Sequence, residues 1–289
     1  MTIAARFRCR DGVVLCADTQ ETIPDYLKTS APKLDSFQHD HNYRLALTGA
    51  GESDMIDMVF QQLMRRLMVD QHDYEFIERT IRDVIGETVR EHVHPAPKED
   101  RPWFHLLIAV QVKGQRVRLL KTTGTVVRQV VGFACVGGVA FAHDAVAGFD
   151  VGEMPMCVVR GLAIHVLQRV KHYDPNCGKR TQVTMLYDDW DVAYLSQRYI
   201  QEVEIYLSDI DVCLRDILQH SLAHRGTDSG MTEALEHLKK HAEEFQRIER
   251  ERSDERCKLR DEFLVHPDTM IIPKKSDVAS PDGDTESRK

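Results

Sequence analysis

Apolar residues alternate with others on both sides of Asp11-Gly12 across residues 2–20, the pattern of two short strands joined by a tight turn. A polar stretch from Glu21 to Asp40, containing Pro24 and Pro32, reads as loop plus a short strand, and the apolar run 43–48 ends at Gly49-Ala50-Gly51. The period then changes. Met55, Val59, Leu63 and Leu67 recur at every fourth position, and Phe76, Ile77, Ile81, Val84, Ile85 and Val89 form the stripe of a second helix. Pro95, Pro97 and Pro102 close this pair, and strand patterns resume over 103–112, 115–122 and 125–131. Gly137-Gly138 precedes a helical region over 139–172, divided in two by Asp150-Val151-Gly152 and Pro155. The loop Asp174 to Gly178 leads to strands at 181–187 and 191–195. Strand groups alternating with helix pairs predict sheets packed face to face with helices on the outside.

Beyond Ser196 the pattern is different. Ile200, Val203, Leu207, Ile210, Leu214 and Ile217 step as a heptad seam. A polar break from Arg225 to Gly230 separates it from Met231, Leu235, Leu238, Ala242 and Phe245. We read residues 1–196 as one domain, 197–266 as a helical hairpin extension, and 267–289 as a polar tail too poor in apolar residues to order itself.

The chain of 289 residues carries 38 Lys+Arg against 46 Asp+Glu, a formal charge of −8, so it lacks the basic surplus that nucleic-acid binding needs. No apolar run approaches the roughly 18–20 residues that span a bilayer, and the N-terminus lacks a charged-then-apolar secretion signal. Seven cysteines without a CxxC pair fit a reduced, cytoplasmic protein. His92, His94 and His143-Asp144 have no partners at zinc spacing, so no metal or other cofactor is expected.

Thr2 follows the initiator methionine. Removal of Met1 would leave it with an α-amine, of reference pKa about 7.7–8.0, able to take the proton of its own hydroxyl. The hairpin register decides what lies beside it. A two-residue Asp11-Gly12 loop would pair Arg10 with Val13. A three-residue loop with Gly12 at a bulge pairs Cys9 with Val13 and gathers Ile3, Ala5, Phe7, Cys9, Val13, Leu15 and Ala17 on one apolar face. The second register sets Asp18 opposite Ala4, on the face of Thr2, Arg6 and Arg8.

The segment MTIAARFRCRDGVVLCADTQ, then APKL, then LALTGAGESD, resembles proteasome β-subunits and the simpler bacterial two-ring threonine protease, over about residues 2–195. The resemblance implies a four-layer αββα sandwich of the N-terminal nucleophile hydrolase type. It implies an active centre of Thr2, Asp18 and Lys33, with the Gly49 N–H as oxyanion donor and Asp174 and Cys177 in a supporting loop. It also implies hydrolysis of peptide or unfolded-protein substrate inside a homo-oligomeric ring, with an ATPase unfoldase as a possible partner. Lys28 competes with Lys33 for the lysine role, and Leu34 after Lys33 favours the latter. Gly137 is matched to a serine of the family's turn, and Cys177 stands where the family has serine; both positions lack the hydroxyl. Cys177 itself is read as a structural thiol. Two other readings stay open: a non-catalytic ring or scaffold subunit, and a small-molecule amidase of the same fold.

Overall fold

A computed structural model describes residues 2–23, 27–39, 42–68, 73–222 and 228–264. Met1 and the tail 267–289 lie outside the described residues. The chain forms two compact units, residues 1–241 and 242–289; the first carries the sandwich and the candidate site.

Its strands are β1 (Ile3–Cys9), β2 (Gly12–Asp18), β3 (Gln20–Ile23), β4 (Leu27–Ser30), β5 (Leu34–His39), β6 (Tyr43–Gly51), β7 (Phe104–Val112), β8 (Arg118–Thr123), β9 (Val126–Gln129), β10 (Phe133–Gly137), β11 (Thr181–Tyr187) and β12 (Val192–Tyr194). The helices are α1 (Ser53–Leu67), α2 (Tyr74–Thr88), α3 (Val139–Val146), α4 (Met156–Tyr173), α5 (Gln197–Leu222) and α6 (Asp228–Leu264). One antiparallel sheet has the order β10-β1-β2-β11-β12 and the other β5-β6-β7-β8-β9, with β3-β4 a small separate hairpin.

The two large sheets face each other. Val13 and Leu15 of β2 pack with Ala46, Ala109 and Leu119, while Ala4 and Ala17 pack with Ala50 and Leu107. Small residues dominate this contact and let the sheets close tightly at the end where the chain begins. The outer face of the second sheet is covered by the expected stripes: Met55, Val59, Leu63 and Leu67 of α1 and Ile77, Ile81, Val84 and Ile85 of α2 all belong to one core with Leu45, Leu47, Leu106 and Ile108. Asp73 caps α2, its carboxylate accepting from Phe76 N at 2.7 Å. α4 covers the first sheet, with Cys16 Sγ 4.0 Å from Ala163 O and Cys9 Sγ 3.5 Å from Met156 Sδ. The architecture is the four-layer αββα sandwich.

The first hairpin has neither of the registers weighed from sequence. Cys9 lies opposite Gly12, Arg8 opposite Val13 and Ala4 opposite Ala17. The turn is Arg10-Asp11, held from outside by Arg10 N to Met154 O (3.0 Å), Asp188 N to Asp11 O (3.0 Å) and Met156 N to Asp11 Oδ1 (2.7 Å). The reason is that both faces of these strands are buried, every residue of β2 included, so hydrophobic alternation does not discriminate between registers. The expected single apolar face therefore splits: Val13, Leu15 and Ala17 turn with Ala4 toward the second sheet. By alternation Asp18 points to the other side, with Cys16, and is fully buried.

Arg6 shares the inter-sheet face and is also fully buried. One terminal nitrogen donates to Leu120 O at 3.1 Å; the other and Nε have no partner among the described residues. Burial pulls its pKa from the ordinary arginine value down to about 9.

Strand β10 has no counterpart in the sequence pattern, because FACVG is short and shows no alternation; its pairing with β1, Ile3 opposite Gly137, supplies the order. The segment Val89–Val93 continues α2 as a π-helical turn.

α5 is fastened to the sandwich by polar groups as well as apolar ones. Glu204 Oε1 accepts from Lys171 Nζ (3.1 Å) and Thr181 Oγ1 (2.8 Å), and Gln197 Nε2 donates to Thr181 O at 2.7 Å. Ile200 and Val203 of the heptad seam are buried, whereas Leu214, Leu218 and Leu222 are exposed.

Replacing Arg6 by Met should raise stability at neutral pH by about 1–3 kcal/mol, because a buried cation with unmade hydrogen bonds is removed. Burial lets folded Arg6 lose its proton near pH 9, well below the pH at which the unfolded chain loses it. The unfolded state binds more protons between these values, so the wild type gains stability there and the advantage of Arg6→Met shrinks. Urea unfolding at pH 7 and pH 10 checks both parts.

Candidate active site

Strand β1 starts one residue after Thr2, β2 ends at Asp18, and β5 starts one residue after Lys33, so three strand ends meet at one edge of the sandwich. Lys33 Nζ donates to Thr2 Oγ1 at 2.6 Å and to Asp18 Oδ1 at 3.0 Å, and also to Gln20 O. An ammonium has three donors, and here each has an acceptor. The Lys33 side chain is 14% exposed and that of Asp18 0%, so the ion pair is shielded from water.

Asp18 is held from two further directions. Its Oδ1 accepts from Ile3 N at 3.2 Å and its Oδ2 from Gly178 N at 2.8 Å. Its change of strand face therefore does not remove it from the centre: the strand end brings it under both Ile3 and Lys33. Lys28 goes elsewhere, its Nζ donating to Pro175 O at 2.6 Å.

Gly49 comes from the opposite sheet. It lies opposite Leu106 in β6, where a Cβ would stand 2.7 Å from His105 O; its neighbour Ala50 packs on Ala4 and Ala17. Gly49 is brought to this edge by packing, while Thr2, Asp18 and Lys33 are joined directly by hydrogen bonds.

Asp174 and Cys177 occupy the loop between α4 and β11. Asp174 Oδ1 accepts from Asn176 N (2.9 Å) and Nδ2 (3.1 Å), and Asp174 O accepts from Cys177 N at 3.0 Å. The loop is drawn to the nucleophile side by Gln20, whose Nε2 donates to Pro175 O at 3.2 Å. Burial, then the nearby charges of Asp18 and Asp174, push the Cys177 thiol well above its ordinary pKa of 9.0. A thiol kept protonated is a poor nucleophile.

The position matched from sequence to the turn's serine needs correction. A Cβ on Gly137 would lie 1.4 Å from Thr2 O, and its φ is +88°, so no side chain fits there. Gly138 is the position that faces the loop: a Cβ on it would stand 3.5 Å from Asp174 Oδ2 and 3.6 Å from Cys177 Sγ. Its N–H donates to Thr2 O at 3.2 Å.

Gln182 escapes sequence reasoning altogether. Its Oε1 accepts from Lys33 N at 2.9 Å, so β11 of one sheet fixes the backbone from which the lysine of the other departs. No local pattern marks a contact across 149 residues. Among the described residues, no group of three His, Cys, Asp or Glu is placed to hold a metal ion.

The four-layer αββα sandwich places the chain in the fold class of the N-terminal nucleophile hydrolases. Within that class, the structurally similar solved proteins carry the name Anbu. A Gly-1 mutant of Anbu from Hyphomicrobium sp. strain MC1 has a TM-score of 0.64 at 16% identity, covering 76% of this chain and 97% of that one. Anbu (ancestral beta-subunit) from Yersinia bercovieri has a TM-score of 0.64 at 15% identity, covering 74% and 95%. The Anbu complex of Pseudomonas aeruginosa, solved as a helical assembly, has a TM-score of 0.62 at 15% identity, covering 75% and 96%. At these identities the likeness is one of fold. No family model matches the sequence, and no curated protein matches it significantly.

Gly137→Ser should cost about 4 kcal/mol or more through overlap with Thr2 O. Gly138→Ser should cost about 1 kcal/mol, the displacement of Val170 being its main obstacle. Denaturant midpoints of the two variants compare them directly.

Proposed function

We propose that the chain is a threonine-type peptidase whose nucleophile is Thr2 and whose base is the Thr2 α-amine once Met1 is removed. The observation that carries this reading is the Lys33 ammonium 2.6 Å from Thr2 Oγ1. With its three donors engaged by Thr2, Asp18 and Gln20, Lys33 acts as a fixed positive charge that stabilises the oxygen as its proton leaves. It also disfavours protonation of the adjacent amine, keeping that group in its basic form.

In the proposed reaction the Thr2 hydroxyl gives its proton to the α-amine while Oγ1 bonds to the substrate carbonyl carbon. Gly49 N–H stabilises the resulting oxyanion. The carbon–nitrogen bond then breaks, with the proton passing to the departing amine, and water hydrolyses the acyl-threonine ester. The Asp174–Gly178 loop contributes by donating Gly178 N to Asp18, while Cys177 fills the loop interior. Peptides or unfolded proteins are the proposed substrates, a homo-oligomeric ring the proposed assembly, and an ATPase unfoldase a possible partner in a cytoplasmic setting. The helical assembly formed by the Pseudomonas aeruginosa neighbour supports the oligomeric part. In this reading residues 1–196 are the hydrolase domain and the hairpin over 197–266 is an extension whose opening turns are fastened to it.

A second reading, a non-catalytic subunit or scaffold of the same fold, is favoured by one observation: neither Gly138 nor Cys177 offers a hydroxyl to the amino terminus. Intact mass should show loss of methionine, and a threonine-directed β-lactone should add once, at Thr2. Thr2→Ala should abolish cleavage of fluorogenic peptides, and Lys33→Ala should lower kcat by about 10²–10³-fold. Retained Met1 with no β-lactone adduct would select the scaffold reading.

A further inference from the structure

We propose that the end of the sandwich remote from Thr2 carries a binding site for a small oxyanion ligand, a phosphate monoester or a small carboxylate. Arg8 lies six residues along β1 from Thr2, about 20 Å away at strand rise, and lines an open surface cleft of about 360 Å³ together with Arg116 and Arg118. That volume lies in the range of small-molecule sites.

The three guanidiniums are held differently. Arg8 makes a two-pronged pair with Asp188 (3.0 and 2.6 Å), and Asp188 also accepts from Val117 N at 2.9 Å. Arg118 stacks 4.0 Å over the Tyr74 ring and lies 3.3 Å from Glu78, a carboxylate it shares with Arg82 at 3.7 Å. Arg116 has no ion pair among the described residues. Arg8 is thus fixed and offset by its own carboxylate, Arg118 is fixed but only partly offset by the Glu78 it shares with Arg82, and Arg116 is left open. Arg6, two residues before Arg8 on the same strand face, adds a buried cation with no carboxylate partner among the described residues. The local balance is positive in a chain whose formal charge is −8.

The surroundings suit a ligand with a body as well as a charge. Val117 and Leu119 supply apolar wall, Tyr74 an aromatic ring, and Gln115 and Gln129 amide donors at the margin. A multiply charged oxyanion would accept from Arg116 and from the nitrogens of Arg118 that Glu78 leaves unused. Forked guanidinium recognition of this kind is well matched to phosphate and carboxylate groups. The inference is independent of the Thr2 chemistry.

Titration calorimetry of the full chain at low salt tests it, with inorganic phosphate, adenosine monophosphate and citrate as probes. We expect one saturable site per chain. Arg116→Gln should weaken binding roughly tenfold, Glu78→Gln should tighten it by releasing Arg118, and Arg198→Gln, on α5, should leave it unchanged. Preference for adenosine monophosphate identifies a phosphate ester as the ligand class, and preference for citrate a carboxylate. Absence of saturable binding by all three probes at millimolar concentrations overturns the proposal. So does unchanged affinity in Arg116→Gln, or an equal loss in Arg198→Gln.

Discussion

One ammonium group organises the start of this chain. Lys33 immediately precedes β5 of the second sheet, yet every acceptor of its Nζ lies in the segment from Thr2 to Gln20, and its own backbone N–H is held by Gln182 of the first sheet. The lysine thus stitches the two sheets at the edge where small residues let them approach. Asp18 makes this tolerable, since a buried cation needs a buried anion, and that anion is itself satisfied by Ile3 N and Gly178 N. Remove the carboxylate and the ammonium faces two neutral oxygens in a site nearly closed to water.

The contrast with Arg6 is instructive. Both cations lie between layers, but Lys33 has a full set of acceptors whereas Arg6 has one carbonyl. The first is pre-organised around a hydroxyl. The second is an under-satisfied cation in the interior, and its cost is offset by the apolar contacts on both sides of β1.

The helix stripes are legible in the sequence because each has one buried face: the every-fourth-residue spacing of Met55 through Leu67 is what packing on a single sheet requires. Thr2, Asp18 and Lys33 are legible through resemblance to a family, and the structure brings these three together. The hairpin register is not legible, because strands buried on both sides carry no polar face to count from. Gly137 and Gly138 cannot be told apart in a GG pair; only the position of Thr2 O distinguishes the one that excludes a side chain. Gln182 and Gln20 act through contacts between distant segments, and such contacts leave no spacing to read.

The grip of Glu204 on Lys171 and Thr181 bears on where the molecule can be divided. Lys171 is 14% exposed, and the carboxylate that balances it comes from α5. A chain ending at Ser196 would leave that cation of α4 without its carboxylate and bare the surface now covered by Ile200 and Val203. The opening turns of α5 are therefore energetically part of the sandwich, whatever their composition suggests. Evolutionary loss or grafting of the extension would have to begin further along the helix, past Asp211, which still pairs with Arg169 of α4, and past Cys213, which is still buried.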